Sequence, residues 1–565
     1  MELNPGKRIT GLIIVCVQIV MLVLQTNPTA ANEEPVTFVT LKKSLTQEQQ
    51  ITFSVPPGQR QLFIDDDGIA AIKNLKRTMH QPVKKGAVIT ADASWEGSVQ
   101  SWCTPEWVPE DRCFKLWIYS SSKSGKVGIS YGESKDGIHW TKPILRMVEI
   151  DGSFENNLFT RDLIYNVIYD PDAADPSRRY KGLRLNSMSE KVISADGINW
   201  IRSPEITARN YFNYYLAFVL NIVHDPKNPD PSQRYTGVGY SYNREPMVSA
   251  DGIHWRSLNF PGIPTADEGL LTYDPLTKTY IATVKQGELG LYGRSVALTT
   301  STDFERWTNT ELIFHADEQD WGLARQEIME RLNNTDMVQP VYNDPAEYRC
   351  DVYNMRVFNY EGIYIGLPSF FLHTGLNPAK INWDGFSIIK MASSRDLKTW
   401  ARLGDRKPFI SPSVLSSGAY DLTYIKSLSC PVVMGNELWF YYVGYKYRVA
   451  PKGIPNEGAV CRAVLRRDGF ISLDAERSEG EVVTKPFILT GSKLFVNSDA
   501  KNGWIQVEIT DAEGKPVAVS GKISGDSPRG EVMWETGKFE KIKGHVVSLR
   551  ITVKNAQLYS YWAEE

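Results

Sequence analysis

Short apolar runs broken by turn residues set the pattern of this chain, and no stretch sustains the 3.6-residue stripe of a helical array. Three stretches share one order. Asp170-Pro171 leads through Arg179-Tyr180 into a run over 181–185. His224-Asp225-Pro226 leads through Arg234-Tyr235 into 236–240. Tyr273-Asp274-Pro275 leads through Lys278-Thr279-Tyr280 toward Val284. Each predicts strand, turn, strand, which is a hairpin. One helix is predicted, over 320–332, as a charged local insertion. From about residue 479 onward the pattern changes to plain alternation, as in Trp504-Ile505-Gln506-Val507-Glu508-Ile509 and Val546-Val547-Ser548-Leu549-Arg550-Ile551. This predicts a small antiparallel β-sandwich.

A second motif follows the hairpins. Ser134-Lys135-Asp136-Gly137-Ile138-His139-Trp140 returns as Ser194-Ala195-Asp196-Gly197-Ile198-Asn199-Trp200 and as Ser249-Ala250-Asp251-Gly252-Ile253-His254-Trp255. Looser copies are Ser301-Thr302-Asp303-Phe304-Glu305-Arg306-Trp307 and Ser394-Arg395-Asp396-Leu397-Lys398-Thr399-Trp400, and Arg467-Asp468-Gly469-Phe470 is a degenerate last one. Gly supplies the positive φ of a tight turn, Asp bonds the turn backbone, and Trp opens the next strand. Inner hairpin plus outer hairpin makes a four-stranded blade, and internal repetition at this period predicts an all-β propeller. Six blades are expected, with five as the alternative if one unit is an insertion. A closing strand is expected at 61–66. The domain order is then a signal peptide at 1–31, a lead-in at 32–60, the propeller at 61–478 and the sandwich at 479–565.

The leader follows from Lys7 and Arg8, an apolar run over 11–24 and the small residues Ala30 and Ala31, the order of an export signal. The expected location is secreted or periplasmic, with no integral membrane segment after cleavage. Of six cysteines, Cys16 falls inside the leader. Cys103 and Cys113 are compatible either with a disulfide or with two small buried side chains. A net charge of -3 over 565 residues provides no basic field for nucleic acid. With 15 Trp and 27 Tyr, the chain has aromatic surface both for blade cores and for stacking on sugar rings.

Propeller sites lie on the axis, where the first strand of each blade begins, and hydrolysis of a glycosidic bond normally takes two carboxylates. Acids at these places are Glu96 after Trp95, Asp162 after Arg161, Asp267 and Glu268, Asp351 ahead of Tyr353 and Asn354, and Asp421 after Tyr420. Blade three offers Arg209, Asn210 and Asn213 but no acid. Each acid also has a plain structural reading: Glu96 satisfying a turn, Asp162 pairing with an arginine, Asp421 in a solvated turn. Asp267 and Glu268 are adjacent, so one of them at most faces the axis. Asp351 and Tyr353 share a face. His373, after Ser369-Phe370-Phe371-Leu372, is either a substrate contact or a packed loop residue. No metal-ligand spacing, Ser/His/Asp elbow or phosphate loop is present, so no cofactor and no metal are expected.

The run Gln61-Leu62-Phe63-Ile64-Asp65-Asp66, with Arg77-Thr78, His80-Gln81-Pro82, Gly132-Glu133-Ser134, Glu155-Asn156-Asn157 and Phe358-Asn359-Tyr360-Glu361-Gly362-Ile363-Tyr364, resembles secreted bacterial glycoside-hydrolase-like propellers related to the family 32 and family 43 glycosidases. The resemblance implies a propeller acting on carbohydrate. In those enzymes an Asp of the first blade and a Glu of a later blade form the pair; here only Glu96 holds the first-blade position, a departure. The expected function is hydrolysis of a poly- or oligosaccharide by Asp351 with Asp267 or Glu268, assisted by Asp421. Trp95, Glu96, Asp162, Tyr353, Asn354 and His373 are expected to hold the substrate. A non-catalytic glycan- or protein-binding propeller and a sialidase-like enzyme are the alternatives.

Overall fold

The repeated turn is built from its own side chains. The computed structural model describes residues 53–565 apart from 102–103, 162–163, 185–190, 203–218, 240–242, 259–261, 267–268, 288–291, 381, 427–428, 538 and 540–541. The expected leader therefore lies outside the described residues. In the first turn the Gly137 amide donates to Ser134 Oγ at 2.9 Å, and the Ile138 and His139 amides both donate to Asp136 Oδ1 at 2.8 Å. Trp140 Nε1 donates back to the Gly137 carbonyl at 3.1 Å. The second and third turns repeat these bonds. Gly137, Gly197 and Gly252 sit at φ +72°, +80° and +73°. Phe304 and Leu397 hold the same left-handed position in the looser copies, and both are buried. Their packing offsets the strain of a side chain at positive φ. The tryptophans are half-buried, folded over the turn, whereas the glycines are what the preceding blade covers.

Each turn docks on the preceding blade. Trp117 Nε1 donates to the Gly197 carbonyl at 2.8 Å, and Tyr441 Oη donates to that of Gly137 at 3.0 Å. A Cβ at Gly137 would lie 2.7 Å from Tyr441 Oη and 3.1 Å from the Trp439 ring. We expect Gly137→Ala, which is both strained and overpacked, to lower stability by about 1–3 kcal/mol, read as a shift in the urea midpoint. No shift would mean that this contact does not hold the ring.

Six antiparallel sheets form the propeller, each built on a path of four strands, with two extra strands in blade 1 and one each in blades 5 and 6. Their inner strands are Glu96–Gln100, Ile164–Tyr169, Val219–His224, Gly269–Asp274, Arg349–Tyr360 and Tyr424–Lys426. Blades 2 to 5 pack inner strand against inner strand, Asn382–Ile389 of blade 5 meets the inner strand of blade 6, and Gly458–Arg466 of blade 6 meets that of blade 1. The outermost strand of blade 6 is Val83–Ile89, with Val83 opposite Val464 and Ile89 opposite Val460. This strand closes the ring. The stretch expected to do so pairs elsewhere: Gln61 lies opposite Tyr561 and Leu62 opposite Ser560.

A further twelve-stranded sheet combines Gln61–Leu62, Ile69–Lys73 and Lys76–Met79 with the strands from Ile471 onward. Strand alternation builds its core. Val547, Leu549, Ile551 and Val553 point inward along Val546–Lys554, onto Val496, Val507, Leu558 and Phe63. The last copy of the turn motif leads directly into this sheet. Asp468, at φ +62° and fully buried, takes Arg60 Nη1 at 2.6 Å, Tyr360 Oη at 2.8 Å, Ser560 Oγ at 2.6 Å and Asn497 Nδ2 at 3.0 Å.

The predicted helix forms over Glu318–Leu332. Asp317 caps it by accepting from the Asp320 amide at 3.0 Å, and buried Asp320 is matched by Arg402 and Arg406, each at 3.0 Å. On the same helix, burial pushes the Glu327 carboxyl up to about 7, against a smaller downward pull from Lys390. The folded chain then holds this proton more tightly than the unfolded chain, whose carboxyl ionises near 4.5. Stability from this group falls as pH rises from about 4.5 to about 7 and stays lower above that. Glu327→Gln is expected to raise the melting midpoint at pH 8, with the gain vanishing toward pH 4.5; an equal shift at both would exclude the ionisation.

Candidate active site

The inner strand of blade 5, Arg349–Tyr360, pairs with Ile363–Asn377, placing Asp351 opposite Phe371 and Arg349 opposite His373. Asp351 and His373 are thus diagonal neighbours on one face. Asp351 Oδ2 lies 3.1 Å from His373 Nε2 and 3.6 Å from Arg294 Nε. The histidine contact has ion-pair length but is not aligned as a hydrogen bond. Asp351 Oδ1 and His373 Nδ1 have no hydrogen-bond partner among the described residues. The Asp351 side chain is buried but keeps 10% exposure against 1% for His373, so it is the less enclosed member of the pair.

Aromatic rings wall the pair. His373 stands edge-on to Phe371 at 5.1 Å and to Trp383 at 4.9 Å, and Phe371 meets Tyr424 of blade 6 at 6.1 Å. A bulge follows Asp351: Val352 is opposite Phe370, and Asn354 is opposite Ser369. Tyr353 is the extra residue, turned under two cations of blade 4, Lys285 at 4.2 Å and Arg294 at 5.2 Å from its ring centroid. Arg294 therefore touches both Asp351 and Tyr353. Arg448 lies over Phe371 at 5.4 Å and Tyr424 at 5.2 Å, and Arg349 over Trp383 at 5.0 Å. Tyr445 donates to Gln100 of blade 1, and burial pushes its phenol above the ordinary value, leaving it a protonated donor. A carboxylate beside a buried imidazole, among half-buried rings, is equipped to move a proton and to sit against a sugar.

The other expected residues fall in different places. Glu96 is buried and accepts from the Ala93 amide at 3.1 Å and from Lys142, which also pairs with Asp92. Burial raises its carboxyl and Lys142 pulls it back. This is the turn-satisfying role. Trp95 packs on Ile150 and Leu158 in a satellite core. Asp421 is not in a solvated turn: it is buried, and it accepts from Ser413 Oγ at 2.7 Å, Tyr442 Oη at 2.9 Å and Lys84 Nζ at 3.0 Å. These donors occupy both oxygens, and no described contact joins Asp421 to Asp351. Asn354 is half-buried beyond the bulge. His373 lies inside a strand and not in a loop. Asp162, Asp267 and Glu268 lie outside the described residues, as do Arg209, Asn210, Asn213 and Cys103. Cys113, Cys350, Cys430 and Cys461 are free thiols.

Lys285, Arg294, Trp383, Tyr424 and Arg448 were not singled out from the sequence. The one available signal was alternation, since Phe371 shares the strand face of His373. Among the described residues no cluster of three metal-ligating side chains occurs, and no helix is long and apolar enough to cross a membrane. A cavity of about 530 Å³ lies at the opposite ends of the inner strands, among Tyr273, Asp274, Phe358 and Asn359, away from Asp351.

No family model matches the chain, and no curated protein matches it. Similar solved structures include an N-acetylgalactosamine deacetylase from F. plautii in complex with blood group B trisaccharide, at 12% identity and TM-score 0.32, covering 70% of this chain and 97% of that one. An exo-β-1,3-galactanase from Phanerochaete chrysosporium with β-1,3-galactotriose matches at 10% identity and TM-score 0.30, covering 85% and 99%. A family 43 arabinoxylan arabinofuranohydrolase from Bacillus subtilis in complex with cellotetraose matches at 10% and 0.28, covering 85% and 99%. Likeness at this level leaves the chemistry to the site's own residues.

Proposed function

We propose that this chain is an exported glycoside hydrolase, cleaving a glycosidic bond of a poly- or oligosaccharide at the mouth of the propeller axis. The observation that carries this reading is Asp351, a carboxylate 3.1 Å from the buried His373 imidazole and less enclosed than it, with the part-exposed rings of Tyr353, Trp383 and Tyr424 around the pair. Ring faces bind the C–H faces of a sugar and fix its orientation. The carboxylate then works at the glycosidic oxygen or the anomeric centre. Its partner carboxylate is assigned to Asp267 or Glu268, which immediately precede the inner strand of blade 4. Their separation from Asp351 decides between retention and inversion. Export is supported by the order of Lys7, Arg8, the apolar run and the small residues after it.

The test is hydrolysis of a panel of aryl glycosides and natural polysaccharides by the chain from residue 32 onward. Release of sugar supports the proposal. Binding without release by any substrate would replace it with a non-catalytic glycan-binding propeller.

A further inference from the structure

The Phe371 ring carries two guanidinium groups, Arg294 at 5.8 Å and Arg448 at 5.4 Å from its centroid. Their surroundings differ. Arg294 has Asp351 at 3.6 Å. Arg448, in the segment after the strand Glu437–Tyr445, lies over the faces of Phe371 and Tyr424, and its buried Nε has no hydrogen-bond partner among the described residues. No described carboxylate lies within ion-pair distance of it. Asp384, whose carboxyl burial pushes up against backbone hydrogen bonds and a smaller pull from the Arg448 charge, spends its oxygens on backbone amides: Val341 at 2.8 Å, Tyr342 at 2.9 Å and Gly385 at 2.8 Å. Glu457, on the same loop, pairs with Lys446. Arg448 is only part-buried, so a ligand can reach the part of it that stays open. Two ring faces hold its plane and leave its donors directed elsewhere, an arrangement suited to planar recognition of an oxyanion.

A second cation has the same kind of seat. Arg349 is exposed over the Trp383 ring and stands two residues before Asp351, on the same face of the strand. A neutral sugar would leave both charges without a partner beside the site.

Building on the hydrolase reading, we infer that the substrate is an acidic sugar whose anionic substituent, carboxylate or sulfate, is bound by Arg448, with Arg349 at the rim. Arg448 is then a specificity residue and takes no part in bond cleavage. The ionic contact raises affinity for the charged sugar over its neutral analogue by about tenfold or more. Added salt weakens this preference.

The experiment is calorimetric binding of two matched pairs, glucuronate against glucuronamide and galactose 6-sulfate against galactose, at low and high salt. The proteins are the parent, Arg448→Met, which keeps an apolar stem over the rings, and Arg448→Lys, which keeps the charge without the planar fork. The expected result is a preference of about tenfold or more for one charged member in the parent. Which pair shows it identifies the substituent. The preference should disappear in Arg448→Met while neutral binding persists, and Arg448→Lys should retain part of it. Equal binding of charged and neutral members overturns the inference and leaves the hydrolase reading standing. A preference that survives unchanged in Arg448→Met also overturns it. Absence of binding by all four sugars overturns the inference, and the hydrolysis panel decides the hydrolase reading separately. If Arg448→Met does not fold, Arg448→Lys and the salt dependence of the parent decide.

Discussion

Asp351→Asn is expected to lower kcat for glycoside hydrolysis by about 10²–10⁴-fold, the range for removing a positioned acid–base group. The substitution keeps the shape of the side chain and removes its charge and its ability to exchange a proton. His373 and Arg294, 3.1 and 3.6 Å from the parent oxygen, lose their anionic partner. Both retain the ring contacts that seat them, His373 against Phe371 and Trp383, Arg294 against Tyr353. The fold should therefore survive, with a melting midpoint close to that of the parent and sugar binding within a few-fold. Activity within about threefold of the parent, on a scale where a tenfold change is about 1.4 kcal/mol, would remove Asp351 from the mechanism. Asp421→Asn separates the two roles: its carboxylate is held by Ser413, Tyr442 and Lys84, so stability should change more than kcat.

The largest effect on stability is expected from Asp468→Ala. One buried carboxylate accepts from Arg60, Tyr360, Asn497 and Ser560, drawing together the segment before the first strand, blade 5 and the twelve-stranded sheet. Removing it strands the Arg60 guanidinium, 3.7 Å over the Trp562 ring and almost without exposure. Breaking a buried pair from one side costs about 3–5 kcal/mol. Guanidinium denaturation should show the loss, and the propeller and the sheet should then unfold at separate midpoints. A single transition displaced by less than about 1 kcal/mol, the worth of an exposed pair, would mean that Asp468 is not the tie.

The turns were legible because their bonds are local: Ser134, Asp136, Gly137 and Trp140 satisfy one another within seven residues, so their spacing is visible in the chain. The closing strand was not. Val83–Ile89 and the 61–66 stretch are both short apolar–polar runs, and what separates them is a partner hundreds of residues away. The acids show the same division. Glu96, Asp351 and Asp421 look alike at the openings of their blades, and their roles are decided by Lys142, His373 and Lys84, which arrive from other segments. Cations seated on rings have no spacing at all. Arg294 and Arg448 meet on Phe371 of blade 5 from blades 4 and 6, a convergence that only the packing of neighbouring blades creates.

Ring closure by Val83–Ile89 also governs how the protein is made. Ile89 waits through roughly 370 residues for Val460. At ordinary elongation rates that is about 20–70 s during which the strand has no partner. An unpaired strand for so long is a template for pairing with another nascent chain. Its composition answers that hazard: Lys84, Lys85 and Gly86 interrupt the apolar positions, and Gly86 takes φ +82°, breaking the flat extended line that a second chain would extend. The same Lys84 later satisfies Asp421. One side chain thus guards the strand before assembly and secures the last blade after it.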